Sequence, residues 1–172
     1  MMEVLTELLL SNVAVGKVEW IGIAHQSRGD METPESIRIV PGGIEGDHHC
    51  RPNRSSQRQV TLIQAEHLPA VAAILRRGEI DPRLLRRNIM VSGINLAALR
   101  YQAFRIGSAV LRGTGNCPPC SRMEENLGFG GYAAMLAHGG ITAVVETEGV
   151  VCKRDTVQAL FGDDIGEPAT TD

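Results

Sequence analysis

A β-rich α+β domain built on a closed or strongly curved sheet is the fold class this sequence predicts. Three observations carry it. Short β-branched runs bounded by Gly and Pro recur along the chain, at a spacing that suits a curved sheet better than a doubly wound one. Aromatic residues make up only 3% and glycines number 19, as expected of a turn-rich fold packed with Val, Ile, Leu and Ala. At 172 residues the chain is long enough for one domain with a real core, without disulfide or metal staples.

The strand candidates are Lys17–Ala24, Ser36–Val40, Gln59–Ile63, Asn88–Val91, Phe104–Ile106, Ala109–Arg112, Ile141–Val145 and Gly149–Cys152. Three helices interrupt them. Residues 65–77 place Leu68, Val71, Ala72 and Leu75 at the helical period. Pro82–Arg86 follows Asp81, an N-cap residue with Pro at the first helical position. Tyr132–His138 is brief and stops at Gly139-Gly140. Residues 1–17 read as an N-terminal lead-in, 18–161 as the domain, and 162–172 as a flexible acidic tail.

A net charge of −3 and a pI near 6.0 give no overall attraction to nucleic acid or to an anionic membrane. No apolar run is long enough to cross a bilayer, and Leu8-Leu9-Leu10 lacks the basic start of a signal peptide. Four cysteines without an export signal point to a reducing cytoplasm, where a CxxC pair serves redox or metal chemistry. The expectation is a cytoplasmic protein with neither a nucleic-acid nor a membrane partner.

Cys117-Pro118-Pro119-Cys120 is the sharpest motif. It sits between an apolar run and the helix-like Arg122-Met123-Glu124-Glu125. A helix start and the charge of Arg122 both favour thiolate, the form that attacks sulfur or binds a soft metal. Three readings are open at this pair. One is a thioredoxin-like dithiol oxidoreductase, although a βαβ framework is missing. A second is a zinc-binding structural or interaction module that adds Cys50 and His48 or His49. The third is a single working thiolate in an anion-binding pocket. Cys152, in an apolar strand, reads as a buried small hydrophobe.

Two further segments carry chemistry. Gly42-Gly43-Ile44-Glu45-Gly46-Asp47-His48-His49 is a loop whose backbone N–H groups can cradle an anion, and whose bland reading is an ordinary turn. Arg86-Arg87-Asn88 places two guanidiniums and an amide at a helix end, a fork for phosphate or carboxylate. A favourable pairing with the helix terminus is the bland alternative. Arg58, in Gln57-Arg58-Gln59, can reach the same space.

The order of these pieces says more than any one of them. The GDHH loop is followed by Gln59-Val60-Thr61-Leu62-Ile63, then Arg86-Arg87-Asn88-Ile89-Met90-Val91-Ser92-Gly93-Ile94-Asn95-Leu96, then Phe104-Arg105-Ile106-Gly107, then the CxxC. This succession, from about Val18 to Val151, resembles the MOSC domain, named for the C-terminal domain of molybdenum cofactor sulfurase. The resemblance implies a mainly β, closed barrel with a few short helices, and a pocket for the molybdenum cofactor, a phosphorylated pterin carrying Mo.

By that resemblance Cys120 is the Mo ligand or sulfur carrier, and Cys117 is an extra thiol that can resolve a persulfide. Arg86, Arg87 and Asn88 would hold the pterin phosphate, with His49 and Arg58 near the pocket and Arg122 beside the thiol. Some relatives, such as the mitochondrial amidoxime-reducing component, reduce N-hydroxylated compounds with electrons from a partner redox protein. In the sulfurase the domain receives sulfur from a PLP-dependent domain. No PLP site and no ferredoxin-like module is recognised in this chain, so either activity requires a partner.

Overall fold

The computed structural model describes residues 14–161 together with Met1, Val4, Leu5 and Leu8. Most of the expected lead-in, and all of the expected tail at 162–172, lie outside the described residues. Seven strands close into a barrel: β1 (Val15–Ile21), β10 (Thr156–Ala159), β6 (Ala103–Ile106), β7 (Ala109–Asn116), β8 (Ile141–Thr147), β4 (Val60–Gln64) and β5 (Ile89–Ser92). The last of these pairs back onto β1. Closure leaves no barrel strand with an unpaired edge. A second sheet has the order β3 (Gly43–Ile44), β2 (Ser36–Val40), β9 (Gly149–Cys152). Its Ile37, Ile39, Ile44 and Val151 share one apolar core with the barrel.

One pairing decides where the site lies. Barrel neighbours run antiparallel except β4 and β5, which are parallel with Leu62 opposite Ile89. Parallel neighbours cannot be joined by a hairpin and need a crossover. Here α1 (His67–Ile74) and α2 (Pro82–Leu85) provide it. The crossover returns the chain to the barrel through Arg86-Arg87-Asn88, immediately before β5.

Burial follows the same logic. Strands β1, β2 and β10 alternate exposed and buried, as strands with one wet face do. In β4 four successive residues are buried. Val60 and Leu62 face the barrel core, while Ile63 packs with Leu68 and Val71 of α1. Beyond β7 the chain forms α3 (Ser121–Leu127) and α4 (Gly131–Ala134). These two meet closely: a Cβ at Gly131 would lie 2.4 Å from the Met123 carbonyl oxygen.

The observed architecture is the β-rich α+β barrel that the sequence predicts; among residues 14–161 it has four short helices where the sequence read three, the added one being Ser121–Leu127, and the last helix runs Gly131–Ala134 rather than Tyr132–His138. Asp81 caps α2 as expected, its carboxylate accepting from the Arg83 N–H at 2.9 Å, with Pro82 opening the helix. The boundaries differ where long-range pairing overrides local signals. Strand β7 continues four residues past Arg112 through Gly113-Thr114-Gly115-Asn116, because β8 pairs with it as far as Asn116 opposite Ile141. Strand β1 starts at Val15, held by β10, and stops at Ile21. The short strands β3 and β10 and a 3-10 turn at Leu96–Leu99 lack a local pattern long enough to read. Helix α1 is shorter than the 65–77 expectation, and Arg76 just beyond it takes a left-handed conformation, φ 55°. Cys152 is half-buried at the end of β9 rather than fully buried. Among the described residues no helix is long and apolar enough to cross a membrane.

Phe104 is fully buried and among the largest side chains of the core. Phe104→Ala is expected to cost about 3–5 kcal/mol in a urea unfolding titration, with the m-value unchanged.

Candidate functional site

The cleft beside the crossover has a cavity volume of about 270 Å³. It is lined by Arg58, Arg86, Arg87, Asn88, His48, His49, Asp47, Cys120 and Arg122, and on one side by Ala24, Ser27, Arg28 and Met31. Five separate stretches of chain therefore meet there. Of the sequence-predicted site residues, all but Cys117 line the cleft. Cys117 is buried at 1% exposure, while Cys120 is exposed at the position preceding α3 and caps no helix N–H with its side chain. The thiol of Cys120 is thus available to a ligand in the cleft.

Asn88 frames the site. Its side-chain oxygen accepts from the Thr61 N–H at 3.1 Å and the Thr61 hydroxyl at 2.9 Å. Its amide nitrogen donates to the Gly22 carbonyl and to Asp47 Oδ2, both at 3.2 Å. Its backbone N–H donates to Thr61 Oγ1 at 3.0 Å, and its carbonyl accepts from Gly22 N–H at 2.7 Å. A buried amide with every group satisfied is a rigid joint. Here it ties β4, the exit of β1 and the GDHH loop together.

Asp47 extends that joint. Its buried carboxylate accepts from the Ala24 N–H at 3.0 Å and the His49 N–H at 2.9 Å. Burial opposes its ionisation, but the His49 ring and the two N–H donors outweigh it and hold its pKa below the ordinary value of 3.8. Asp47 Oδ1 lies 3.3 Å from His49 Nδ1, and His48 Nδ1 lies 2.9 Å from the Ala24 carbonyl. The Ala24 carbonyl can only accept, so His48 carries a proton on Nδ1, while His49 sits beside the Asp47 carboxylate.

The two neighbouring arginines behave differently. Arg87 is 2% exposed and holds backbone. It donates to the Gly139 carbonyl at 2.8 Å and the Leu85 carbonyl at 3.0 Å, with longer contacts to the Cys117 and Pro118 carbonyls at 3.5 and 3.4 Å. Burial pushes its pKa down, the Cys117 thiol opposes that, Arg58 adds to it and Cys120 opposes it. Arg86 is part-buried in a left-handed conformation, φ 54°, which is rare outside glycine and turns the chain sharply out of α2. It makes one side-chain bond, to the Gly29 carbonyl at 2.6 Å. Burial and the nearby Arg122 lower its pKa, while Asp47 and Asp30 oppose this. Arg28, with φ 66°, is a second strained arginine on the same cleft.

The cleft is electropositive in an acidic protein. Arg28, Arg58, Arg86, Arg87 and Arg122 line it against one carboxylate, Asp47. Glu125 pairs with Arg28 at 3.7 Å and Arg122 at 3.9 Å. Neither Arg58 nor Arg86 takes part in an ion pair with another described residue. Free guanidinium forks of this kind suit phosphate. Among the described residues Asp47, His48 and His49 are the one His/Cys/Asp/Glu group with ligand atoms close enough for a shared ion. The four-ligand zinc set of Cys50, Cys117, Cys120 and a histidine is not assembled. All four cysteines are free thiols.

The MOSC domain family model matches residues 45–158. The chain belongs to the MOSC domain family. No curated protein sequence matches it. Among solved structures, the YuaD protein from Bacillus subtilis is 22% identical with a TM-score of 0.75, covering 84% of this chain and 95% of that one. YiiM from Escherichia coli is 15% identical with a TM-score of 0.63, covering 85% and 70%. YiiM from Geobacillus stearothermophilus is 13% identical with a TM-score of 0.68, covering 85% and 75%. At these identities the likeness is one of fold.

Asp47, Arg28 and Met31 line the MOSC cleft without having been singled out as site residues in the sequence, and His48, which entered that reading only as a candidate zinc ligand, lines it too. Asp47 carried a signal, as the acid inside the GDHH loop. Arg28 carried none, because it lies in a polar turn between strands and enters the cleft only through tertiary packing.

Two outcomes follow for the frame. Gly139→Ala should distort the cleft floor, since a Cβ there would lie 2.0 Å from the Cys117 carbonyl oxygen. The expected loss is about 1–3 kcal/mol of stability, checked by thermal unfolding. Asp47 stabilises the fold as a carboxylate, so its contribution is complete above roughly pH 4 and is lost as pH falls through the lowered folded value. Asp47→Ala should therefore be less stable than wild type near neutral pH and show a flatter stability curve on acidification.

Proposed function

We propose that this cleft binds the molybdenum cofactor and that the chain acts in Mo-dependent reduction of N-hydroxylated compounds, with a partner protein supplying electrons. The observation that carries this reading is the convergence of the unpaired Arg58 and Arg86 guanidiniums, together with Arg122, on the cleft that exposes the Cys120 thiol. The donor set matches the group on both counts. Guanidiniums suit the pterin phosphate, and thiolate suits a soft, redox-active metal.

In this assignment Arg58, Arg86 and Arg122 hold the phosphate, and Cys120 supplies sulfur to the metal. Arg87 and Asn88 are positioning residues, holding the CxxC backbone and the GDHH loop. His49, on the cleft wall beside Asp47, offers an imidazole that can exchange a proton with a substrate. When bound, the cofactor supplies the two-electron redox chemistry. For an N-hydroxylated substrate, two electrons and two protons break the N–O bond and release water. An adjoining cleft of about 470 Å³ shares Arg28, Met31, Arg86 and Arg122 and offers room for such a substrate.

Sulfur carriage from a PLP-dependent donor to the cofactor uses the same Cys120 and is the second assignment. Its resolving step requires Cys117 to leave its buried position, which makes it the weaker one. A cofactor-free dithiol has less support still, because the fold is a closed barrel and Cys117 does not line the cleft.

Elemental analysis of protein purified anaerobically from a host that makes the cofactor tests the assignment. Wild type should carry molybdenum near stoichiometrically, and Cys120→Ser should lose it while keeping its unfolding midpoint. Arg58→Ala should weaken pterin retention by about 1.5–3 kcal/mol, roughly ten- to a hundredfold, as for a lost hydrogen bond to a charged group. Zinc in place of molybdenum, lost together with stability in Cys120→Ser, would instead support a structural metal.

A further inference from the structure

Asp47, His48 and His49 are the one group of three or more metal-ligating side chains among the described residues, but a separate pair of histidines stands outside the cleft. His67 opens α1, and His138 lies in the turn that leads into β8. Strands β4 and β8 are paired neighbours with Leu62 opposite Ile141, so the chain leaving β4 and the chain entering β8 share one rim of the barrel. Ala137, left-handed at φ 65°, turns the backbone sharply just before His138. The two imidazoles meet edge to face, with ring centroids 4.9 Å apart and planes at 82°.

Each ring has a nitrogen without a partner. Nδ1 of His67 and Nδ1 of His138 are both buried, and neither makes a hydrogen bond with a described residue. Buried nitrogens normally have partners, and two orphans in one contact point to a ligand shared by both. A neutral imidazole protonated on Nε2 presents a bare lone pair at Nδ1, the form that binds a metal. The surroundings favour it: burial first, and then the neighbouring His138, lower the His67 pKa against the opposing charge of Glu66.

Spacing and charge both suit an ion. Two imidazoles on one tetrahedral or square-planar ion, at about 2.0–2.1 Å per nitrogen, place their ring centroids roughly 4.5–5.2 Å apart. The observed 4.9 Å falls inside that range. The charged side chains acting on His67 are His138 and Glu66, and none of the cleft arginines is among them. The Glu66 carboxylate accepts from the Gly93 N–H at 2.7 Å and the Gln64 amide at 3.2 Å. Standing just before His67, it also offsets the positive end of α1.

We propose that His67 and His138 form a two-histidine site for a borderline divalent cation of the nickel, copper and zinc group, bound through Nδ1 of each ring with water completing the coordination. Imidazole suits these ions, whereas calcium and magnesium take oxygen ligands. The ion fastens the start of α1 to the turn at 138–140. Gly139 in that turn gives its carbonyl to Arg87, so the site staples the crossover to the floor of the cleft. It is independent of the molybdenum reading, because neither histidine lines the cleft.

Ni²⁺ alone is the probe, since it suits imidazole and the chain carries four free thiols that softer ions would seek. Its binding to the metal-stripped whole chain is followed by calorimetry, and the histidine rings by NMR. Wild type should show one Ni²⁺ site that His67→Gln and His138→Gln each weaken about tenfold or more. The same site should persist in His49→Gln and Cys120→Ser. Unfolding midpoints recorded without metal check that each variant folds, and Ni²⁺ should raise the midpoint of wild type but of neither His67→Gln nor His138→Gln. In unsubstituted protein, Ni²⁺ should broaden the His67 and His138 ring signals before those of His48 and His49. No Ni²⁺ binding, retention of the site in His67→Gln or His138→Gln, its loss in His49→Gln, or broadening first at His48 and His49 would each overturn the proposal.

Discussion

The buried amide of Asn88 is the joint on which the cleft depends. It stands where the crossover from β4 returns to the barrel, and its hydrogen bonds reach the strand that the crossover left, the end of β1, and the carboxylate of Asp47. A buried amide left with unmet hydrogen bonds costs more than one kept apolar, so its partners are held as a set. Asp47 hands the constraint on, fixing the His49 N–H and the Ala24 N–H with the same carboxylate. The GDHH loop, which has little core of its own, thereby acquires one position relative to the arginines.

Arg87 plays the corresponding part on the other side. A guanidinium removed from water must find acceptors, and it finds them in the carbonyls of Leu85 and Gly139, with weaker help from Cys117 and Pro118. This clamps the CxxC segment to the turn before β8. The neighbouring Arg86 leaves α2 in a left-handed turn and keeps donors unused. Two adjacent arginines thus divide between holding the frame and lining the cleft with donors to spare. The result is a local positive field in a protein whose net charge is negative.

Much of the barrel was legible because it is encoded locally. Ser36–Val40 and Gly149–Cys152 carry their own β-branched pattern and appear as strands with those bounds. Asp81-Pro82 announces a helix start, and the structure places one there. Residues 113–116 lie beyond the strand read as Ala109–Arg112 yet continue β7, because the hydrogen bonds that make them a strand come from β8. The same reason hid β10, whose partners β1 and β6 lie far away in the chain, while β3, two residues across a tight turn from β2, is too short to carry a pattern.

By itself the sequence determined the β-rich class, the capped crossover helix and the residue types able to bind an anion or a soft metal. Those are properties of single residues and short spacings. Only the tertiary structure decided which of them meet. It brought Cys120 into the cleft and left Cys117 buried outside its lining, engaged Arg87 in the frame, left Arg86 with one carbonyl partner and no ion pair, and added Arg28 and Asp47 to the wall. The physical reason is that exposure and hydrogen-bond partners are set by contacts between segments tens of residues apart, which no local pattern encodes.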